Sequence, residues 1–365
     1  MSSQISVFQP LLLELGAPRR PVPAAIDWRN GLLLRSTNWL GDCLMTLPAA
    51  WQLRQLMPAD TRLYVLTPAF LAPLWSACSW VDGVISMAGK RINVEEIAQV
   101  KALNLGVGVI FPNSFGSAMD HWRCSLPLRV GRGGRFRSWL LTHAQREWPR
   151  GENVGRCHQL SYYLELVSAF GPVRLDSACP HLEVKPGIAK ALGVDGPGWL
   201  ALAPGAAYGP AKQWPMESFR ELAAWQHKRG GRVLLVGTGK EAAVAAAVAE
   251  AAPGAVNLAG KTSLAELMAV LAAAEAVVAN DSGAMHLAAA LGTPGVGIFG
   301  STDPIGTGPL GAPWQLVLAS VPCRPCFRRE CPLSAPDEPY RCLHSIKPTE
   351  VIGALEAVLA VRGAS

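Results

Sequence analysis

The sequence has no run of about 20 apolar residues, the length a membrane-spanning helix needs. Its nearest approach, the alanine-rich stretch Ala242–Ala252, is broken by Glu250. A secretory signal is missing too. Leu11-Leu12-Leu13 runs into a Pro/Arg stretch from Pro18 to Pro23, without a basic start, a longer apolar core and a small-residue cleavage site in that order. The chain is therefore expected in the cytoplasm, with peripheral contact at the inner face of the cytoplasmic membrane as the remaining option. Charged residues make up only 16 % and no low-complexity tract is long, which excludes a disordered chain. The nine cysteines are an odd number without an export signal, which argues against a disulfide framework. No recognised nucleic-acid motif is present, so nucleic acid is not an expected partner.

What the chain does have is 365 residues, half of them apolar, enough for two domains of about 150–200 residues. Apolar runs alternate with helix-length segments nearly throughout, the pattern of an α/β fold with parallel sheets. In the first half, Gly31–Arg35, Arg62–Leu66, Val107–Phe111 and Leu128–Val130 read as strands, and a helix of roughly Cys157–Phe170 closes it. After the Gly/Pro-rich stretch Gly193–Gly198 the pattern restarts, with strands at Leu200–Ala203, Arg232–Val236, Ala276–Ala279 and Gly295–Phe299. A last helix starts at Pro348, where a missing N–H costs nothing. This divides the chain into an extension (1–30), a first Rossmann-like domain (31–190), a second (191–347) with a Cys-rich loop (322–344), and a final helix (348–365).

Ligands in doubly wound sheets bind at the carboxyl ends of strands, and the informative residues fall there. In "RSTNWLGDCLMTLPA", Asp42 stands where a strand hands over to a helix; it either caps that helix or takes a proton from an acceptor hydroxyl. In "APGAAYGPAKQWP", Gly205 lets backbone approach a ligand, Ala206 adds no bulk, and Lys212 supplies a point charge suited to phosphate. "VGTGKE" ends in Glu241, a carboxylate able to accept hydrogen bonds from sugar hydroxyls. In "VVANDSGAMHLAAALGTPGVGIFG", Asp281 ends a strand, and Ser282-Gly283 opens a helix whose free N–H groups suit a diphosphate. His286, one turn in, is either a buried core residue or a ligand contact, and the following Ser301-Thr302-Asp303 either adds hydroxyl contacts or simply turns.

Taken together and in order, "NWLGD", "GAAYGPAKQWP", "NDSGAMHLAAALGTP" and "FGSTDP" resemble glycosyltransferase family 9, the heptosyltransferases of lipopolysaccharide inner-core synthesis. The resemblance runs from Gly31 to about Val361. It implies a GT-B fold, two Rossmann-like domains facing each other across a cleft, the first for the acceptor and the second for the nucleotide sugar. It also implies an inverting transfer of heptose from ADP-heptose to a Kdo- or heptose-bearing lipid A core, with no cofactor required for catalysis. Asp42 would then be the general base and Lys212 the lysine that neutralises the diphosphate. Glu241 would lie near the ribose and Thr262 in the adenine pocket. Asp281 would face the donor heptose, and Ser282, Gly283 and His286 would hold phosphates. The final helix would pack back toward the first domain. Two other readings stay open: the same fold with another nucleotide sugar, and a non-catalytic nucleotide- or metal-binding protein.

Two clusters stand outside these motifs. Between His121 and Arg156 lie eight arginines against two glutamates, an excess equal to the +6 of the whole chain. The segment is either a solvated face or an anion-binding patch, in which Arg132, Arg135 and Arg137 would meet an anionic glycolipid acceptor. Near the end, Cys323, Cys326, Cys331 and Cys342 form a cluster opened by a C-x2-C pair. They either close a structural zinc site, with thiolates favoured by the neighbouring arginines, or are buried or oxidisable thiols.

Overall fold

The computed structural model describes residues 3–14, 20–23, 25–134, 136–146, 157–334 and 338–363. It divides into two compact units: Leu11–Glu183, and a second that joins the residues up to Pro10 with those from Val184 onward. The chain opens with a strand, β1 (Ser3–Val7), which belongs to the second unit. The first unit then supplies β2 (Gly31–Arg35), β3 (Arg62–Pro68), β4 (Gly83–Met87), β5 (Val107–Ile110), β6 (Leu128–Arg132) and β7 (His143–Gln145). All are parallel, in the order β4-β3-β2-β5-β6-β7. Every residue of β2 and β5 is buried, so GLLLR and VGVI show no polar alternation; both faces of the sheet are covered. Strand order reverses between β2 and β5, which makes the crevice at their carboxyl ends the ligand position of this sheet. Helix Leu40–Leu56, which carries Asp42, leaves from that point.

The second unit repeats the winding with β8 (Trp199–Ala203), β9 (Arg232–Leu235), β10 (Val256–Asn257), β11 (Ala276–Asn280), β12 (Gly295–Phe299) and β13 (Trp314–Ala319). The order is β1-β13-β12-β11-β8-β9-β10, so the reversal falls between β8 and β11. β8, β11 and β12 are buried along their whole length. β1 alone among these strands runs antiparallel, with Ser3 opposite Ala319 and Val7 opposite Gln315.

The expected α/β class, and the strands and helices read from the periodicity, are all present. Five strands are additional: β1, β4, β7, β10 and β13. β1, β7 and β10 lie at sheet edges or are very short, so their sequences carry little apolar pattern. β1 is held by backbone pairing, and Ser3 donates to the Glu350 carboxylate from both its N–H (3.3 Å) and its hydroxyl (3.0 Å). Ser3–Val7 is thus an integral strand of the second unit's sheet. In the first unit, the His158 N–H donates to the Leu11 carbonyl (2.8 Å) and the Leu13 N–H to Ser161 Oγ (3.0 Å).

The last helix, Pro348–Gly363, packs on β11, β12, β13 and helix Met216–Lys228. Val351, Ala354, Leu355 and Val358 enter the core of that unit. These apolar positions recur at helical spacing and cover one face of the second sheet. Among the described residues no helix is long and apolar enough to cross a membrane.

Candidate active site

At the carboxyl ends of β8 and β11 the second unit gathers most of the residues singled out from the sequence. Asn280, fully buried at the end of β11, ties the two strands' loops together. Its side-chain amide donates to the carbonyls of Pro204 (2.8 Å) and Gly205 (3.2 Å) and accepts from the Trp214 N–H (3.1 Å). This pins the loop that carries Lys212. The Lys212 ammonium lies 2.5 Å from Asp281 Oδ2 and 4.6 Å above the ring of Tyr208. Thr302 donates to the same Asp281 oxygen at 2.6 Å. Asp281 therefore holds the lysine head, and is itself held by the loop after β12.

Helix Gly283–Ala290 begins immediately after Asp281. Its N-cap, Ser282, makes no side-chain cap hydrogen bond, and the Ser282 hydroxyl is buried without a partner. The hydroxyl of Ser301, 1 % exposed, is likewise unpartnered. Buried hydroxyls in native proteins are nearly always bonded, so two orphans beside a free helix start mark a place for a ligand with acceptor oxygens. His286 is buried one turn in, and burial pulls its pKa down to about 4, so the imidazole is neutral at neutral pH.

Glu241 lies beside the same loops. Its carboxylate accepts from the Thr238 N–H (2.6 Å) and hydroxyl (2.8 Å), and a Cβ at Gly205 would come within 2.1 Å of it. A side chain at Gly205 would thus displace the Glu241 carboxylate. Gly209, at φ 147°, is required by its backbone conformation and by the Arg329 carbonyl 2.6 Å from where a Cβ would stand. Ala206 is buried on this loop, and Thr262 is half-buried before helix Leu264–Ala272.

In the first unit, Asp42 is half-buried in the first turn of helix Leu40–Leu56, at the reversal point of the sheet. The N-cap position belongs to Trp39, whose side chain makes no cap hydrogen bond. Burial pushes the Cys43 thiol up to about 12 and raises the Tyr163 phenol; the Asp42 charge adds to both shifts.

A sequence profile of "Glycosyltransferase family 9 (heptosyltransferase)" matches residues 98–335. The chain belongs to this family. It is 31 % identical to lipopolysaccharide heptosyltransferase 2 of Salmonella typhimurium and 30 % identical to that of Escherichia coli, in each case over 76 % of this chain and 85 % of the relative. The solved structure of the E. coli ADP-heptose lps heptosyltransferase II superposes with a TM-score of 0.75 at 26 % identity, covering 91 % of this chain and 99 % of that one. The fold is accordingly GT-B, and the chain is a family 9 glycosyltransferase.

Within this family 9 chain, two of the arginines expected to meet an anionic acceptor, Arg132 and Arg137, are interior residues. Arg132 is 1 % exposed: it pairs with Glu165 (2.9 Å), donates to the carbonyls of Arg146 (2.8 Å) and Tyr162 (2.5 Å), and stacks on the Tyr162 ring. Arg137 is fully buried and donates to the carbonyls of Pro112 (2.7 Å) and Ser114 (2.8 Å). Their guanidinium forks close backbone carbonyls inside the unit, so neither is free to meet an acceptor. Arg135 lies outside the described residues. Arg132→Ala leaves the buried Glu165 carboxylate without its counter-charge and is expected to destabilise the fold by about 3–5 kcal/mol. A denaturant midpoint unchanged from the wild type would contradict this assignment.

The Cys-rich loop carries Cys323, Cys326, Cys331 and Cys342. The nine cysteines are free thiols, and among the described residues no three His, Cys, Asp or Glu side chains are grouped to hold a metal ion. Cys342 is pushed up to about 11 by burial and by Cys323, Cys326 and Cys331; the lowering effect of Arg324 is smaller. The neighbouring arginine therefore does not make Cys342 a thiolate. What the loop does is brace the loops that follow β8 and β12. Arg324 donates to the carbonyls of Gly300 and Thr302 (both 2.9 Å), and the N–H groups of Cys326 and Phe327 donate to the Ser301 carbonyl. The Arg329 carbonyl accepts from the Ala211 N–H, next to Lys212, and Tyr208 donates to the Phe327 carbonyl. These residues position Lys212 and Thr302; no motif in the sequence signals that role.

Proposed function

We propose that this chain transfers heptose from ADP-heptose to the inner core of lipopolysaccharide with inversion at the anomeric carbon. The observation that carries the reading is the convergence of the Lys212 ammonium, the orphan hydroxyls of Ser282 and Ser301 and the start of helix Gly283–Ala290 at one strand edge. It is supported by relatives whose names state a lipopolysaccharide heptosyltransferase and a solved neighbour named for ADP-heptose.

In this mechanism the acceptor hydroxyl gives its proton to Asp42, and its oxygen attacks the anomeric carbon opposite the leaving group. The bond from that carbon to the diphosphate oxygen breaks, and ADP departs with the electron pair. Lys212 and the N–H groups of the helix start stabilise the charge that develops there. Asp281, engaged with Lys212 and Thr302, orients the ammonium. Ser282, Gly283 and neutral His286 line the phosphates. Glu241 takes the ribose hydroxyls and Thr262 borders the base. No step is assigned to the Cys-rich loop or to a metal held by it. A lipid-borne acceptor places the work at the inner face of the cytoplasmic membrane, in peripheral contact.

A thermal-shift titration with ADP, UDP, GDP and ADP-heptose, with and without Mg²⁺, tests the donor. A ligand at a hundredfold excess over Kd stabilises by about 2.7 kcal/mol, a readily measured rise in Tm. The expected result is a shift with ADP and ADP-heptose that ignores Mg²⁺. A preference for UDP would retain the fold and replace the donor.

A further inference from the structure

Three aromatic rings of the first unit form one exposed patch. Phe115 and Trp122 stand two turns apart on helix Phe115–Arg123, and Trp139 comes from the short turn Ser138–Leu140. The Trp139 ring lies 6.3 Å from Phe115 and 6.5 Å from Trp122, so the three are continuous. Phe115 is 40 %, Trp122 48 % and Trp139 64 % exposed, and Phe136, three residues before Trp139, is 93 % exposed. Singly exposed apolar residues are ordinary, whereas contiguous exposed rings mark a contact surface.

The patch continues into a charged border. Trp122 lines a shallow groove of about 630 Å³ with Val94, Lys101, Arg123 and Arg129, and no acidic side chain lines it. Lys101 and Arg123 lie in the last turns of their helices. Phe115 follows the carboxyl end of β5, one of the two strands that flank the reversal point at which Asp42 stands. A tryptophan ring in a groove lined by cations and no acid, continuous with two further exposed rings, matches the headgroup layer of an anionic bilayer, where aromatic rings settle and basic residues meet lipid phosphate.

We propose that this patch docks the protein on an anionic phospholipid bilayer. The inference rests on the reading that the acceptor is carried by a lipid. It gives the exposed rings a function that transfer chemistry does not require of them.

Co-sedimentation of the full chain with vesicles tests it, using phosphatidylcholine alone and phosphatidylcholine mixed with phosphatidylglycerol. Binding is expected on the mixed vesicles and much less on the neutral ones. Trp122→Ser with Trp139→Ser should weaken it by at least about tenfold. Lys101→Gln and Arg123→Gln should each weaken it by about fivefold. All four side chains are at least partly solvent-exposed, so thermal unfolding and transfer to a short water-soluble acceptor should stay as in the wild type. Equal binding to both vesicle types, wild-type binding by the Trp variant, or a Trp variant that changes the protein's size on gel filtration would overturn the docking surface; the last would mark a contact between copies. Vesicle binding without transfer to the soluble acceptor would instead leave the surface standing and remove the proposed reaction.

Discussion

Asp42→Ala is expected to lower kcat for heptose transfer by about 10²–10⁴-fold, the usual contribution of a positioned general base. The loss should be nearly silent in folding. Asp42 stands in the first turn of its helix but not at the cap position, and a carboxylate there stabilises a helix by only about 0.3–1 kcal/mol through the macrodipole. The two roles weighed for this residue therefore separate cleanly. A structural acid would cost stability and leave turnover among folded molecules intact; a base would do the reverse. Nucleotide affinity should be unchanged, because the proposed ADP-binding residues all belong to the second unit. Steady-state transfer with a saturating soluble acceptor, alongside an ADP thermal shift, reads both quantities. Full transfer activity in the folded variant would remove Asp42 from the mechanism.

The strand-end loops of the second unit were legible because they are short polar runs placed directly after buried strands. Asn280-Asp281-Ser282-Gly283 follows AVVA, and Gly205 to Lys212 follows LALA, so an apolar run that ends in small and polar residues already locates a strand end. What such runs do not reveal is which partner each residue faces. Gly205, singled out for close approach of backbone to a ligand, lies directly against Glu241. Asn280, the residue that joins the two loops, had no role assigned, because an amide that bonds backbone carbonyls leaves no periodic trace.

Charge was the least reliable signal. Arginine density in 121–156 suggested a surface, yet Arg132 and Arg137 are interior braces, because a guanidinium can satisfy several carbonyls at once and be buried by doing so. β1 escaped notice for a related reason: its pairing with β13 uses backbone groups that every sequence has. β13 itself was readable, as the apolar run WQLVLA between Pro313 and Pro322 is the pattern of a buried strand.

Lys212→Ala is expected to lower kcat by about 10²–10³-fold, since it removes the ammonium proposed to meet charge on the departing diphosphate. Unlike the Asp42 change, it should also cost stability. The pair it breaks is largely buried, with Lys212 13 % and Asp281 5 % exposed, and the Asp281 carboxylate would keep only the hydroxyl of Thr302. Loss of one partner of a buried pair costs about 3–5 kcal/mol. A second substitution resolves the two effects. Lys212→Ala combined with Asp281→Ala removes the stranded charge, so much of the stability should return, and the coupling between the sites appears as non-additivity in the denaturant midpoints. Turnover should not return, because neutralisation of the diphosphate needs the cation and not merely a relaxed site. ADP binding should weaken in both variants. If the double variant regained transfer together with stability, Lys212 would be a structural partner of Asp281, and the charge on the leaving group would have to be met by the helix start alone.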